Sequence, residues 1–556
     1  MDQEVPYISK RRILLIGLMF IFMSIILLGR LFFIQIIKNK EYSKKAVQQR
    51  LMSISLGMDR GNIYDRNLIP FTGREIKKYI IVYPDYINDK ETAASIIAKL
   101  SGLSKDLVLK KINTDGGTLD FVYNNKNEEL LRFIEMGKLK GVIVIEKNER
   151  YSTKSIGRHV IGYISKSDKI GEMGIEKSMD NYLSASSSKS IIAVVDSSKN
   201  IIPGLGFRKV EVSSKGINYG IKLTIDYHIQ KIVEDIMTNN EVNGAIVVMD
   251  IKTGDILAMA SHPDYEQDNV QKYINSQGEE LINKAIWPYD LGSVFKVVVA
   301  AAAIESGKID LGKKYICEGS ITVGNSVINC STHKNHENRE ITIDEAFALS
   351  CNTTFVKIGI ELGAETILNM AKKLGLGEKQ CYEMLEEKAG YLPESQEDGI
   401  GNISIGQGKI QVTPLQVTAM MAVIANNGIK YDTRLVDELI NEEGGTVKKI
   451  DKAAPQIVLS PTTAYRIKRM LSDVTTNGTG KQANLDELGG SSGKTGTAET
   501  GMNNGKIIHG WFSGFIPSNN PQYAITIFIN NGQSGAKSAA PIFKQVGEKI
   551  LKNIKR

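Results

Sequence analysis

The sequence has few prolines and few cysteines, and it lacks a long block of basic residues. Among 556 residues there are 13 prolines and 4 cysteines, while 42% of the residues are hydrophobic and 24% are charged. This composition is that of a globular protein. The net charge of +7 is spread over many lysines and arginines. This distribution of charge is compatible with an anionic membrane or wall surface. It lacks the clustered basic residues of a nucleic-acid-binding surface, so we expect no nucleic-acid partner.

The chain is too long for one ordinary hydrophobic core, so two or three domains are expected. Its first segment is strongly apolar: residues 13–29 carry no charge, and after Arg30 the apolar run continues to residue 37. This length matches the roughly 20 residues that cross a bilayer, so residues 13–37 are predicted to be a transmembrane helix. A cleavable signal peptide fits less well because no small-x-small site follows the run. A buried core helix is the alternative.

Basic residues flank the predicted span on both sides, so the charge bias that sets membrane orientation is almost balanced. Residues 10–12 are basic, and four lysines lie within residues 38–45. Only the nature of the substrate can therefore place the large C-terminal part outside the membrane.

The character of the chain changes near residue 220. Residues 76–219 mix short helical and strand patterns, with a serine-rich run at residues 184–188. No nucleotide loop, metal cluster or acid pair stands out there, so a structural or docking domain is expected. We predict a short N-terminal tail at residues 1–12, a pedestal or docking domain at 38–219, and a separate C-terminal domain at 220–556.

The C-terminal region is predicted to be an α+β domain. Residues 245–250 and 256–260 form two apolar runs joined by a turn that contains Gly254, which predicts a β-hairpin. Helical patterns dominate residues 291–374 around a polar insert, and two more strands follow late in the chain. This order predicts a helical subdomain inserted into one antiparallel sheet.

Three short motifs in this region carry chemistry, but each of them has copies elsewhere. The Ser-x-x-Lys pattern begins at Ser186, Ser293, Ser331, Ser491 and Ser534. The copy at Ser293 precedes a valine- and alanine-rich run that predicts a buried helix. Lys296 is one turn from Ser293, and burial would lower its pKa enough to make it a base for a serine nucleophile. A serine cap with an incidental lysine is the alternative, but an unpaired buried lysine is costly.

The second and third motifs supply groups that a serine ester mechanism needs. Ser350 and Asn352 lie between two helical patterns and offer a hydroxyl and an amide, although simple helix capping is the alternative. Lys494, Thr495, Gly496 and Thr497 follow a glycine-rich entry and suit a carboxylate-binding edge strand. The backbone N–H groups of Thr497 and Ser293 suit an oxyanion hole.

Other copies of these motifs are weaker candidates. Lys252 to Gly254 repeats the third motif but fits the hairpin turn, where glycine supplies a positive φ. Ser198 to Asn200 and Ser518 to Asn520 repeat the second motif.

The three motifs, in this order, resemble those of the serine penicillin-recognising enzymes. Further segments resemble the class B penicillin-binding proteins, the monofunctional peptidoglycan transpeptidases, and the C-terminal part is most similar to the sporulation-linked members. These segments are RGNIYDRN at residues 60–67, GIE at 174–176, LTID at 223–226, IGQG at 405–408, VTPLQ at 412–416, WFSGFIP at 511–517 and AAPIF at 539–543. One departure is Leu291, where the family usually has proline before the glycine.

The resemblance implies a mixed α/β pedestal of the dimerisation type and a transpeptidase domain with a five-stranded antiparallel sheet, flanking helices and a helical subdomain. It implies that Ser293 attacks stem peptides ending in D-Ala-D-Ala, with Lys296 as base and Ser350 as proton relay. Asn352 would hold a substrate amide, while Lys494, Thr495 and Thr497 receive the terminal carboxylate.

The resemblance also implies acylation by β-lactams, a cytoplasmic N-terminus, an extracytoplasmic catalytic domain in the cell membrane, and a multi-span glycosyltransferase partner. It fits cell elongation, division and sporulation alike, and no cofactor is required for the acyl transfer. Two alternatives are a β-lactamase, which needs a deacylating base, and a β-lactam sensor or scaffold, which usually carries several membrane spans.

The polar insert holds a separate candidate site. Cys317, Cys330 and His336 have a spacing that allows three ligands of a structural zinc. Asp290 is the preferred fourth ligand because it would tether the insert to the nucleophile helix, and His333 and Cys351 are the alternatives. A disulfide between Cys317 and Cys330, or free thiols, remain open because the spacing is not a usual finger pattern.

Overall fold

The computed structural model describes residues 10–58, 60–114, 117–124, 127–184, 187–194, 207–213, 219–337, 339–395, 397–441, 443–500 and 507–553. The Ser-x-x-Lys copy at Ser186, part of the serine-rich run, the copy from Ser198 to Asn200 and most of the predicted cytoplasmic tail lie outside these residues.

The helices follow the chain from the membrane segment to the C-terminal end. They are α1 Lys10–Phe32, α2 Asn39–Arg50, α3 Lys90–Ser101, α4 Lys105–Thr114, α5 Glu128–Glu135, α6 Arg158–Ile161, α7 Gly174–Ser178, α8 Asp180–Leu183, α9 Tyr227–Asn239, α10 Lys296–Ser306, α11 Ile343–Ala348, α12 Asn352–Leu362, α13 Ala364–Lys373, α14 Ile400–Ile405, α15 Pro414–Ala425, α16 Pro461–Thr476 and α17 Ala540–Asn553.

The strands are mostly short outside the central sheet. They are β1 Leu51–Met58, β2 Ile63–Tyr64, β3 Glu75–Val82, β4 Leu119–Val122, β5 Val142–Glu149, β6 Ser187–Val194, β7 Phe207–Ser213, β8 Gly220–Leu223, β9 Gly244–Asp250, β10 Ile256–His262, β11 Tyr289–Asp290, β12 Tyr315–Ile316, β13 Ser320–Val323, β14 Ser326–Asn329, β15 Glu340–Ile341, β16 Gln411–Val412, β17 Ile429–Lys430, β18 Val436–Ile440, β19 Thr446–Lys449, β20 Gln456–Ile457, β21 Ser492–Glu499, β22 Ile508–Ile516 and β23 Tyr523–Ile529.

The N-terminal apolar segment is one long exposed helix. α1 continues into a π-helical turn, Phe33–Ile37, and the apolar stretch Arg11–Ile37 is 27 residues long with every residue exposed. Within the described ranges, it is the one helix that is long and apolar enough to cross a membrane. An apolar helix with no protein packed on it fits a single-pass membrane anchor.

The chain divides into two compact units, and neither is continuous in sequence. One comprises Met1–Asp59, Ile76–Asn148 and Ser186–Gly216, and the other comprises Arg60–Glu75, Glu149–Ala185 and Ile217–Arg556. The predicted domain boundary between residues 219 and 220 stays a prediction.

The first unit contains two small sheets. β1, β6 and β7 form one three-stranded antiparallel sheet. The other has the order β4-β3-β5, and its apolar side chains pack on α3, α4 and α5 around Ile80, Ile97 and Ile134. The mixed α/β composition predicted for this region is confirmed.

The second unit is built on a five-stranded antiparallel sheet with the order β10-β9-β23-β22-β21. β9 is buried at every residue, which explains its unbroken apolar run. α9 and α17 share one apolar core with this sheet, while α10, α12, α15 and α16 belong to a second one. The predicted α+β fold with an inserted helical subdomain is confirmed. The turn after β9, where Gly254 has a φ of 71°, joins the predicted hairpin.

Candidate active site

Ser293 lies at the start of the buried helix, as predicted. It belongs to a single 3-10 turn, Gly292–Phe295, that leads into α10, and residues 296–303 of α10 are all buried. Gly292 has a φ of 63°, and a Cβ there would lie 2.4 Å from the carbonyl oxygen of Thr497. Glycine is therefore required at this position, because it lets the nucleophile turn touch the edge strand β21.

Lys296 contacts Ser293, the predicted nucleophile, and both polar residues of the second motif. Its Nζ lies 3.1 Å from Ser293 Oγ, 3.2 Å from Ser350 Oγ and 2.6 Å from Asn352 Oδ1. The side chain is completely buried. This burial lowers the pKa of Lys296 to about 8, although the nearby thiols of Cys351 and Cys330 act in the opposite direction. A lysine with this pKa can accept the proton of a serine hydroxyl near neutral pH.

Ser350 lies in the short loop between α11 and α12, in a backbone conformation that serine rarely adopts. Its φ is 58°, and only 8% of the residue is exposed. A non-glycine residue at positive φ costs about 1–3 kcal/mol, a strain typical of functional sites. The carbonyl oxygen of Ser350 accepts a hydrogen bond from Lys296 Nζ at 2.8 Å. The strained loop thus presents two oxygen atoms to one buried ammonium group.

Asn352 is the first residue of α12, but its side chain does not cap that helix. Its Nδ2 donates to the carbonyl oxygen of Asn329 at 2.8 Å, while its Oδ1 accepts from Lys296. Because both ends of the amide have partners, its orientation is fixed. The capping alternative for this motif is therefore wrong.

Lys494 approaches the same hydroxyl from β21. Its Nζ donates to Ser350 Oγ at 3.0 Å, and its side chain is completely buried. Burial lowers the pKa of Lys494 well below its usual range, and the charge of Lys296 lowers it further. The structure therefore brings Ser293, Lys296, Ser350, Asn352 and Lys494 into one cluster.

The rest of the third motif lies along the same edge strand. Gly496 packs so closely on the nucleophile turn that a Cβ there would lie 2.8 Å from Val294 and 2.9 Å from the carbonyl oxygen of Leu291. Thr497 is exposed, and its Oγ1 accepts a hydrogen bond from the N–H of Gly535 at 3.3 Å. Thr495 is 6% exposed.

Three of the four predicted metal ligands come together, with a different fourth residue. Cys317, Cys330, His336 and Cys351 are buried, and their ligand atoms all lie within 4.8 Å of one another. Cys330 Sγ is 3.8 Å from Cys351 Sγ and 3.9 Å from His336 Nε2. In a tetrahedral zinc site with Zn–S bonds of about 2.3 Å, neighbouring sulfur atoms are about 3.8 Å apart. Three thiols and an imidazole are also a donor set that zinc uses, so these residues fit the metal.

Asp290, the preferred fourth ligand, is not in this group, and that prediction is corrected by the structure. Asp290 lies in β11, which pairs with β16, and its side chain bonds to Gln411. Its carbonyl oxygen accepts a hydrogen bond from Trp511 Nε1 at 2.9 Å. His333, the other alternative, touches Cys317 Sγ at 3.3 Å but stays outside the four-residue group. The four cysteines form no disulfide with one another.

Two neighbours of the site were not predicted from the sequence. The carbonyl oxygen of Asn329 holds the amide of Asn352, and Thr479 Oγ1 lies 2.7 Å from Thr495 Oγ1. Asn329 acts through its backbone, so its side-chain identity carries no signal. Thr479 follows a helix in an ordinary glycine-containing turn, which gives no functional signal either.

Two family models match the chain. The Penicillin binding protein transpeptidase domain matches residues 244–548, and the Penicillin-binding Protein dimerisation domain matches residues 57–210. Stage V sporulation protein D of Bacillus subtilis (strain 168) is 27% identical over 557 residues, which cover 96% of this chain and 84% of that protein. Penicillin-binding protein PbpB of Mycolicibacterium smegmatis is 29% identical and covers 83% of this chain and 73% of its own.

Solved structures share the fold. A chain of a peptidoglycan synthase complex superposes with a TM-score of 0.68 at 22% identity, over 99% of each chain. Penicillin-binding protein 3 of Mycobacterium tuberculosis, complexed with aztreonam, superposes with a TM-score of 0.64 at 23% identity, over 90% of this chain and 97% of its own. With more than half of its length matched by the transpeptidase model, the chain belongs to the penicillin-binding protein transpeptidase family.

Proposed function

We propose that this protein is a membrane-anchored peptidoglycan D,D-transpeptidase that cross-links stem peptides through an acyl-enzyme on Ser293. One observation carries the proposal: a fully buried lysine with a lowered pKa, Lys296, lies within hydrogen-bonding distance of Ser293 Oγ. A nucleophile and a base in contact are the requirement for serine acyl transfer.

In the acylation step, neutral Lys296 takes the proton of Ser293. The Ser293 oxygen then attacks the carbonyl carbon of the penultimate D-alanine, and the bond from that carbon to the nitrogen of the terminal D-alanine breaks. Ser350 passes its proton to this leaving amine and regains one from protonated Lys296, since its hydroxyl contacts both Lys296 and Lys494. In the second step an amino group of a neighbouring stem attacks the ester carbonyl carbon, the bond from that carbon to Ser293 Oγ breaks, and the proton that the amine loses returns to Ser293.

The edge strand β21 orients the donor peptide. Lys494, Thr495 and Thr497 receive its terminal carboxylate, and Gly496 allows the peptide backbone to lie close to the strand. The backbone N–H groups of Ser293 and Thr497 stabilise the oxyanion, each worth about 10²–10³ in rate. Asn352 holds a substrate amide.

β-Lactams resemble the D-Ala-D-Ala end and acylate Ser293 in the same way. The test is a labelled penicillin incubated with the full-length protein and with Ser293→Ala. We expect stable label on the wild type and none on the variant. Label that survives Ser293→Ala contradicts the assigned nucleophile, and rapid release of the label indicates a β-lactamase.

A zinc ion held by Cys317, Cys330, His336 and Cys351 would be structural. It would fasten the polar insert to the start of α12 and take no part in the acyl transfer. Elemental analysis of the purified protein, combined with thiol titration, tests this proposal. Protein without stoichiometric zinc, in which fewer thiols titrate because a disulfide has formed, would rule the metal out.

The N-terminus is proposed to be cytoplasmic and the catalytic part extracytoplasmic, because peptidoglycan lies outside the membrane. A multi-span glycosyltransferase that makes the glycan strand is the proposed partner, and residues 38–219, before the transpeptidase domain at 220–556, are the proposed docking domain. Protease accessibility in intact cells tests the orientation, and co-purification with and without residues 38–219 tests the docking.

A further inference from the structure

Thr479 connects the second and third motifs of the proposed active site. It lies in the turn that follows α16, where the neighbouring N–H groups of Gly478 and Gly480 return to that helix, to the carbonyl oxygens of Asp473 and Val474. The N–H of Thr479 instead donates to the carbonyl oxygen of Ala348 at 3.1 Å. Ala348 is the last residue of α11 and lies two residues before Ser350.

The turn can make this contact only because Gly478 has no side chain. A Cβ at Gly478 would lie 2.2 Å from the carbonyl oxygen of Ala348, which is closer than any side chain permits. α16 also holds the beginning of β21, because Thr475 Oγ1 donates to the carbonyl oxygen of Ser491 at 2.6 Å. The end of α16 therefore fixes the loop of Ser350 and the strand of Lys494 relative to each other.

The side chain of Thr479 reaches the carboxylate-binding strand. Its Oγ1 lies 2.7 Å from Thr495 Oγ1, and this is the hydrogen bond that the described residues give to each hydroxyl. A hydroxyl has one hydrogen to donate. If Thr495 donated to Thr479, Thr495 would offer only lone pairs to a carboxylate, which would repel it. Binding of a carboxylate therefore requires that Thr479 be the donor.

We propose that Thr479 is a positioning residue: its hydroxyl donates to Thr495 Oγ1 and so keeps the Thr495 hydrogen free for the carboxylate of the donor peptide. This inference rests on the proposed function, in which Thr495 binds that carboxylate. Thr479 itself need not touch the substrate.

The test compares Thr479→Val, which removes the hydroxyl at nearly constant volume, with Thr479→Ser, which keeps it. The concentration dependence of acylation by a labelled penicillin separates the dissociation constant of the first complex from the acylation rate constant. We expect Thr479→Val to raise the dissociation constant about five-fold, because the Thr495 hydroxyl loses the hydrogen bond that orients its hydrogen toward the carboxylate, with little change in the acylation rate constant. Thr479→Ser should bind like the wild type.

The methyl ester of the same penicillin is the matched control ligand, because it lacks the carboxylate charge. Thr479→Val should change its dissociation constant by no more than about two-fold. Thr495→Val removes the partner hydroxyl, and it should raise the dissociation constant of the penicillin at least as much as Thr479→Val does. In the double variant, Thr479→Val should not raise the dissociation constant beyond that of Thr495→Val alone.

An unchanged dissociation constant in Thr479→Val overturns the proposal, as does an equal loss for the penicillin and its ester, which would indicate a packing role. If Thr479→Val does not fold, Thr479→Ala is measured in its place, and a dissociation constant equal to that of the wild type overturns the proposal. Labelling that survives Ser293→Ala overturns the proposed function, and the role of Thr479 with it. Labelling that depends on Ser293 but not on the Thr479 hydroxyl overturns the role of Thr479 alone.

Discussion

Lys494 Nζ donates a hydrogen bond to Ser350 Oγ across 3.0 Å. Lys296 Nζ contacts the same oxygen at 3.2 Å, so two buried lysines meet on one hydroxyl. Among the described residues, neither lysine has a carboxylate partner within salt-bridge distance. Two full positive charges in such a site repel each other, and burial disfavours both. The arrangement therefore favours a neutral lysine, which is what a general base requires.

The rate of acylation should depend on pH through Lys296. Burial lowers the pKa of Lys296 from 10.5 to about 8. The neutral, proton-accepting form is scarce below this pH, so the second-order rate constant for penicillin acylation should rise with pH and level off above about 8. The measurement is a series of acylation rates across neutral and mildly alkaline pH. A midpoint near the ordinary lysine value of 10.5 would show that burial does not activate this residue.

The backbone conformation of Ser350 should lower the free energy of unfolding of the protein. Its φ of 58° strains any residue with a Cβ. Ser350→Gly and Ser350→Ala both remove the hydroxyl, and we expect both to lose acylation by penicillin. Ser350→Gly should nevertheless be more stable than Ser350→Ala by about 1 kcal/mol, because glycine relieves the strain. Thermal denaturation of the two variants measures the difference, and equal stability would mean that the loop relaxes without a penalty.

The sequence predicts the nucleophile because the local pattern contains enough information. Burying an unpaired lysine in an apolar helix costs free energy, so a lysine at such a position indicates a function. This distinguishes Ser293 from the other Ser-x-x-Lys copies. The hairpin turn at Gly254 is also a local property. The structure shows the buried helix, residues 296–303, and a turn that joins two paired strands, while the role of Ser293 as nucleophile stays a prediction.

Asp290 is wrongly predicted as the fourth metal ligand because that position depends on contacts between distant parts of the chain. Asp290 is only three residues from Ser293, yet pairing of β11 with β16 directs its side chain to Gln411. Cys351 takes its place in the thiol cluster, which consists of Cys317, Cys330, His336 and Cys351, because the loop before α12 lies beside the polar insert. The contact of Thr479 with Thr495 joins a turn to a strand 16 residues later. Spacing along the sequence carries no information about such approaches.

The thiol cluster should affect acylation through Asn352. Cys330 directly follows Asn329, whose carbonyl oxygen holds the Asn352 amide at 2.8 Å, and Cys351 directly precedes Asn352. Cys330→Ser should loosen this hold and lower the acylation rate about ten-fold, a typical effect of a supporting interaction. The same change in an Asn352→Ala background should have little further effect. The measurement is a double-mutant cycle of penicillin acylation rates.

Cys381→Ser is the matched control for the thiol cluster. Cys381 is also buried, but its Sγ contacts Glu383 at 3.3 Å and it is not part of the four-residue group. Its replacement should leave the acylation rate unchanged. If Cys330→Ser lowers the rate equally with and without Asn352, the cluster acts on general stability and not on the amide.

Glu176 should be important for the stability of the second unit. It is completely buried, and its two oxygens accept from Arg60 Nε at 2.6 Å and Arg150 Nε at 2.5 Å. Glu176→Gln leaves the mostly buried Arg150 without a counter-charge and leaves Arg60 with Asp180 alone, at 2.7 Å, which should cost about 3 kcal/mol in the free energy of unfolding. The two arginines also lower the pKa of Glu176. Its contribution should therefore be present at neutral pH and be lost as the pH falls below about 4.5, through the folded-state pKa.

An exposed ion pair in the same unit serves as a control, because it shows whether the loss of stability in Glu176→Gln comes from burial or from charge pairing alone. Lys231 Nζ lies 3.0 Å from an oxygen of Asp235, at a distance similar to those around Glu176, but about half of each side chain is exposed. Water solvates a charge left alone at such a site, so Asp235→Asn should change the free energy of unfolding by less than about 0.5 kcal/mol. Chemical denaturation of both variants measures the contrast. Similar losses in the two variants would mean that charge pairing alone, without burial, explains the role of Glu176.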